Sequence, residues 1–179
     1  MDRKPFSIRD ICHIAVFTGL IAVLAQVSIP LPGGVPVTMQ TLGVLLAGIV
    51  LGARKGAAAA LCYLLVGAVG LPVFAGFSGG LSRLVGPAGG FLLSYPLMAW
   101  LTGHFASGAK RGQLASGLLI STAVCYIMGS LMYAAVTGLG FKAAIAACVL
   151  PFLAGDILKM VLAAWFGTKL KKALARAEV

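Results

Sequence analysis

Acidic residues are nearly missing from this chain: Asp2, Asp10, Asp156 and Glu178 are the only four in 179 residues, against fourteen Lys and Arg, for a formal charge of +10. No two of them form the close carboxylate pair that acid–base chemistry would need. Histidine is limited to His13 and His104, and Cys12, Cys62, Cys125 and Cys148 have neither CxxC spacing nor a neighbouring His. A zinc site or a disulfide framework is therefore unsupported, and the cysteines read as small apolar fillers inside helices. HExxH, GxxxxGK[ST] and GxGxxG are also absent, and Ser, His and Asp do not combine into a recognisable catalytic constellation, so neither that chemistry nor a nucleotide cradle is supported. The chain is expected to be neither an enzyme nor the holder of a metal or other cofactor.

Apolar residues fill the space that charge leaves. They make up 60% of the chain, with a mean hydropathy of +1.04, whereas soluble domains carry roughly 45–50% even with Gly counted among them. The uncharged stretches are long enough for bilayer spans of about 17–25 residues, and the length suits one bundle. The basic residues fall in alternate gaps between these stretches. Arg3, Lys4 and Arg9 precede the first; Arg54 with Lys55, and Lys110 with Arg111, lie in short polar gaps; Lys169, Lys171, Lys172 and Arg176 close the chain. The intervening gaps hold only Arg83 and Lys142. This is the positive-inside pattern, with both termini cytoplasmic, and it accounts for the charge without nucleic acid.

Six spans are expected in a single all-α membrane domain covering 1–179: 11–29, 35–52, 57–74, 90–105, 114–136 and 151–170. The first follows a basic start, as a signal peptide would, but is long enough to cross uncleaved. Pro30, Pro32, Gly33 and Gly34 form the breaker cluster of the first outer loop, and Pro151 suits the first turn of the last helix. Residues 75–90, AGFSGGLSRLVGPAGG, have neither helical nor strand period; at membrane depth such backbone is tolerated only inside protein or along a cavity. A mixed stretch, 137–150, has room for a short outer helix over GFKAAIAACVL. Trp165 and Phe166 fall beside Lys169 as an inner aromatic belt. No internal repeat is visible, which disfavours an inverted-repeat transporter.

Asp156 and Lys159 are the acid and base expected inside a span, and at i,i+3 they share a helix face. An intramembrane ionisable residue is a functional candidate by default. About 8 Å inward from Pro151 at the helical rise, Asp156 is within reach of a solute from outside, although an internal ion pair that only pins helices fits the same residues. Gly76, Gly79, Gly80, Gly86, Gly89 and Gly90 let backbone approach a ligand closely, with Ser78 and Arg83 as added polar groups; a plain flexible loop is the other reading. Thr38, Gln40 and Tyr95 can hydrogen-bond a ligand or be satisfied within the bundle. Ala15 and Gly19, with Thr18 and Ala22 one step round, make small-xxx-small faces that permit close helix approach. Physics alone leaves two classes: a solute-binding membrane subunit, or a structural membrane protein.

The run SIPLPGGVPVTMQTLGVLLAGIVLGARKGAAAALCYLLVGAVGLPVFAGFSGGLSRLVGPAGGF (28–91), together with PFLAGDILK (151–159), resembles the BioY family of biotin transporters, the substrate-binding S components of energy-coupling-factor (ECF) systems. The likeness spans nearly the whole chain. It implies a six-helix S-component bundle in a prokaryotic cell membrane, with biotin held near the outer side beneath the first loop and the Gly-rich loop. The family's acid and lysine match Asp156 and Lys159. Ser78 stands where some members have Asn, and Leu92 where relatives can have a basic residue; on the resemblance, Asp156 and Gly-rich-loop groups including Ser78 are expected to satisfy one polar end of biotin and Lys159 or Arg83 the other, in either orientation. The expected walls are Val35, Phe74, Phe77, Phe91 and Tyr95, and the expected substrate-binding set is Asp156, Lys159, Ser78, Gly79, Arg83, Gln40, Tyr95 and Phe74. Implied partners are a transmembrane coupling protein, docked at Ala15 and Gly19, and two ATP-binding cassette ATPases that use the ATP. The rival within this class is an S component for thiamine or riboflavin.

Overall fold

A computed structural model describes residues 6–31, 33–108 and 111–177, and what it describes is almost wholly helical. Helix α1 (Ile8–Gln26) opens with a capping box in which Ser7 and Asp10 satisfy each other's backbone amides. The next residues are not helical. Strands β1 (Ser28–Ile29) and β2 (Val37–Thr38) pair antiparallel across the Pro- and Gly-rich loop. The span expected over 11–29 therefore ends early, and the one expected from 35 begins only after β2, because three prolines, Pro30, Pro32 and Pro36, remove amide donors from this stretch.

Helix α2 (Gln40–Ala68) is a folded hairpin. Gly52 sits at φ 79°, ψ 177°, a backbone conformation that side chains disfavour. The side-chain amide of Gln40 hydrogen-bonds Tyr63 Oη, a contact between residues that a straight helix would hold about 35 Å apart. The two arms, on either side of Gly52, answer to the second and third expected spans, with the third stopping at Ala68 short of 74.

A five-residue helix, α3 (Leu81–Val85), lies inside the Gly-rich stretch, where no helical period was expected. Helices α4 (Gly89–Phe105), α5 (Arg111–Thr137), α6 (Phe141–Cys148) and α7 (Leu150–Ala177) complete the chain. The short outer helix expected over 140–150 is α6, and Pro151 lies in the first turn of α7. Four helices (α1, α2, α5 and α7) are long and apolar enough to cross a bilayer.

The central element is α2, packed against α1, α4 and α7, with α5 behind α4. Small residues set these distances. A Cβ on Gly48 would lie 2.6 Å from the Ala99 carbonyl oxygen, and one on Gly90 would lie 2.4 Å from that of Met128. The main core runs through α1, α2 and α4 around Ile21, Leu45, Ile49, Tyr63 and Met98. A second cluster, Val35, Tyr133, Ala144, Cys148 and Phe152, ties the first loop to α5, α6 and α7.

The two ends of the bundle differ in chemistry. At one end Lys55 pairs with Asp10, Arg54 stacks over Phe6, and Lys171 donates to the Ala106 carbonyl at 3.0 Å. The start of α1, the α2 turn and the ends of α4 and α7 thus gather at a basic end. The β1–β2 loop, the Gly-rich segment and α6 lie at the other.

Candidate functional site

A cavity opens at the loop end, enclosing about 750 Å³ of empty space out to its mouth. The two loops and helices α2, α3, α4, α5 and α7 contribute to it; α1 and α6 do not. The first loop and β2 supply Val35 and Thr38, α2 supplies Gln40 and Thr41, and the Gly-rich segment supplies Phe74, Ser78 and Arg83. Residues Phe91, Leu92 and Tyr95 come from α4, Thr122, Cys125 and Tyr126 from α5, and Phe152, Asp156 and Lys159 from α7. Mostly apolar walls with a few convergent polar groups are the usual make-up of a small-molecule site.

Helical spacing explains the faces. Phe152, Asp156 and Lys159 follow i, i+4, i+7 along α7, and Thr122, Cys125 and Tyr126 follow i, i+3, i+4 along α5, so each set lies on one side of its helix. Phe91 and Phe152 stack across the cavity with ring centroids 6.5 Å apart. Phe74 packs edge-on to Tyr63 at 5.4 Å.

The electrostatic centre is the pair Asp156–Lys159, 5% and 4% exposed, with Nζ 2.7 Å from Oδ1. Oδ1 also accepts from Thr41 Oγ1 at 3.4 Å, and Oδ2 accepts from the Tyr126 hydroxyl. An ionised carboxylate offers about four lone-pair sites; three are taken among the described residues, leaving one on Oδ2. Lys159 likewise has ammonium donors beyond the one it gives Asp156. The pair is neutral overall. Arg83 is exposed at the mouth, and neither described carboxylate lies within 4 Å of it.

A second polar network joins the two loops. Thr38 Oγ1 donates to Gln40 Oε1 at 3.1 Å, the Gln40 amide meets Tyr63, and the Tyr63 hydroxyl donates to the Val73 carbonyl at 3.1 Å. Gln26, at the end of α1, grips the same segment. Its Nε2 donates to the carbonyls of Val73 (3.2 Å) and Phe74 (3.3 Å), and its Oε1 accepts from the Phe77 amide at 2.9 Å.

Seven of the eight expected binding residues thus line one cavity: Asp156, Lys159, Ser78, Arg83, Gln40, Tyr95 and Phe74. Gly79 does not. A Cβ there would lie 2.3 Å from the Leu71 carbonyl oxygen, so Gly79 is pressed against the preceding turn. Phe77, expected as a wall, points away with 72% of its surface exposed and φ at 52°. Ala15 and Gly19 lie apart on the exposed side of α1, with nothing within 4 Å of a Cβ on Gly19. Thr18 turns inward, donating to the Ala59 carbonyl at 3.0 Å. Sequence reasoning missed Thr41, Thr122 and Tyr126. Their only signal is a hydroxyl within an apolar helix, which Thr102 and Ser121 share while bonding each other inside the core.

Several known proteins are similar to this chain over nearly their full length. The chain is 36% identical to the probable biotin transporter BioY of Pyrococcus horikoshii over 91% of this chain and 96% of the relative. It is 39% identical to the biotin transporter BioY of Thermotoga maritima over 92% and 96%, and 39% identical to that of Rhizobium etli over 90% and 92%. Its fold matches the crystal structure of the S-component for biotin from an ECF-type ABC transporter, with a TM-score of 0.85 and 25% identity over 92% of each chain. The model of the BioY family matches residues 1–176. With family and fold in agreement across the chain, this is a membrane protein that belongs to the BioY family.

Proposed function

We propose that this chain is the biotin-binding S component of an ECF-type vitamin uptake transporter. The observation that carries the reading is the neutral, hydrogen-bonded Asp156–Lys159 pair in the wall of an apolar cavity reaching the surface between the two loops. Biotin is an apolar bicycle and chain with a polar group at each end. A free carboxylate is costly to bury without a counter-charge. Arg83 lies at the exposed mouth with neither described carboxylate within 4 Å, whereas Lys159 is already balanced by Asp156. The carboxylate therefore belongs at Arg83 and the ureido ring at the inner pair, where the remaining site on Asp156 Oδ2 accepts one ureido N–H. The aromatic walls Phe74, Phe91 and Phe152 enclose the bicycle and chain.

In this reading the chain crosses the prokaryotic cell membrane six times, α2 crossing twice through its hairpin, with the basic end and both termini in the cytoplasm by the positive-inside rule. The exposed small face at Ala15 and Gly19 receives the transmembrane coupling protein, and two partner ATPases use the ATP. Labelled biotin should bind the purified protein saturably in detergent, without competition from thiamine or riboflavin. Displacement by either vitamin would reassign the substrate, and folded protein that bound none of the three would remove the function.

A further inference from the structure

Six of the seven threonines have a hydroxyl partner. Thr18, Thr137 and Thr168 donate to the carbonyl four residues back, at 2.9, 2.7 and 2.8 Å; Thr38 and Thr41 reach side chains at the site; Thr102 bonds Ser121. Thr122 has none. It is 6% exposed, its Oγ1 has no hydrogen-bond partner among the described residues, and, unlike Ser130, the other buried hydroxyl without one, it lines the cavity. A buried hydroxyl left unpaired costs about 1–3 kcal/mol, and back-bonding to the preceding turn, which three other helical threonines use, would relieve it.

Its depth is fixed by topology. The cavity opens at the loop end, α5 runs toward that end, and α4 and α7 run away from it. Of the lining residues on these helices, Thr122, Tyr95 and Lys159 are therefore the furthest from the mouth. All three can donate a hydrogen bond, and Tyr95 is buried with its hydroxyl making no hydrogen bond among the described residues. Three converging donors suit one strong acceptor.

We infer that Thr122 is a specificity-determining residue whose hydroxyl donates to the ureido carbonyl oxygen of the ligand, alongside Tyr95 and Lys159. This rests on the biotin reading above and assigns the deepest polar contact within it. A ligand with an amine-like group in place of that carbonyl would present a donor to three donors and be rejected.

The test compares the unchanged protein with Thr122→Val, which keeps the β-branched shape, and Thr122→Ser, which keeps the hydroxyl. Each is titrated with biotin, with desthiobiotin, which retains the ureido group without the ring sulfur, and with 2-iminobiotin, in which an imino group replaces the carbonyl oxygen. Thr122→Val should lose about tenfold in affinity for biotin and desthiobiotin, with little change for 2-iminobiotin, and Thr122→Ser should restore most of the loss. Equal losses for all three ligands, or no loss for any, would overturn the assignment. Absence of biotin binding by the unchanged protein would instead sink the functional reading on which it stands.

Discussion

Asp156 and Lys159 stabilise each other only as a pair. Each is about 95% buried, and their attraction offsets the cost of removing both charges from solvent. Removing one partner strands the other, at roughly 3–5 kcal/mol, whereas replacing both with neutral side chains of similar volume is much milder. Lys159→Met should therefore lower the thermal midpoint of the detergent-purified protein sharply, and adding Asp156→Asn should recover most of the stability while leaving biotin binding lost. Recovery of both stability and binding by the double variant would show that the pair only pins helices. Sequence placed this pair, because two charges three residues apart in an otherwise apolar run are conspicuous. It did not show Thr41 or Tyr126, which lie 115 and 30 residues from Asp156 and meet it only through packing.

At the scale of elements, the Gly-rich segment behaves as a held strap. Residues 70–80 contain four glycines and little regular structure, yet Gln26 fixes it with three hydrogen bonds and Tyr63 with a fourth. Gln26→Met keeps the side-chain length and removes the hydrogen bonds from α1 to the segment. Biotin should then leave roughly tenfold faster, and limited proteolysis within 73–80 should accelerate. Unchanged release and cleavage would mean that Tyr63 and the 2.7 Å backbone bond from Gly80 N to the Gly67 carbonyl suffice to hold it. Composition identified residues 75–90 as neither span nor tight turn, since glycine has no preferred period, and assigned 70–74 to the end of the third span. The α3 turn within it escaped notice because five residues, LSRLV, are too few to display one. The α2 turn was legible in the Arg54–Lys55 gap, but its position at Gly52 was not, because only the backbone reveals a positive φ.

For the whole molecule, the surface proposed for the coupling protein, the exposed small-residue face of α1, lies apart from the binding cavity. Ala15 and Gly19 contribute nothing to the cavity, and their outward side is open. Replacing both with Trp should abolish ATP-driven biotin uptake by the assembled transporter while leaving biotin affinity unchanged within about twofold, because the substitutions fall more than a helix away from the ligand. Uptake at the original rate would move the docking surface elsewhere.

Hydropathy, charge spacing and the two quoted motifs determined the membrane-embedded helical class, the acid–base pair and the family, because these depend on residue type and on separations along a single helix. Tertiary structure alone decided which polar groups converge. The folding of α2 at Gly52, the grip of Gln26 on a segment 47–51 residues away and the unpartnered hydroxyl of Thr122 are relations between distant segments. No local pattern encodes such relations; they arise when close helix packing brings some polar atoms to a partner and leaves others without one.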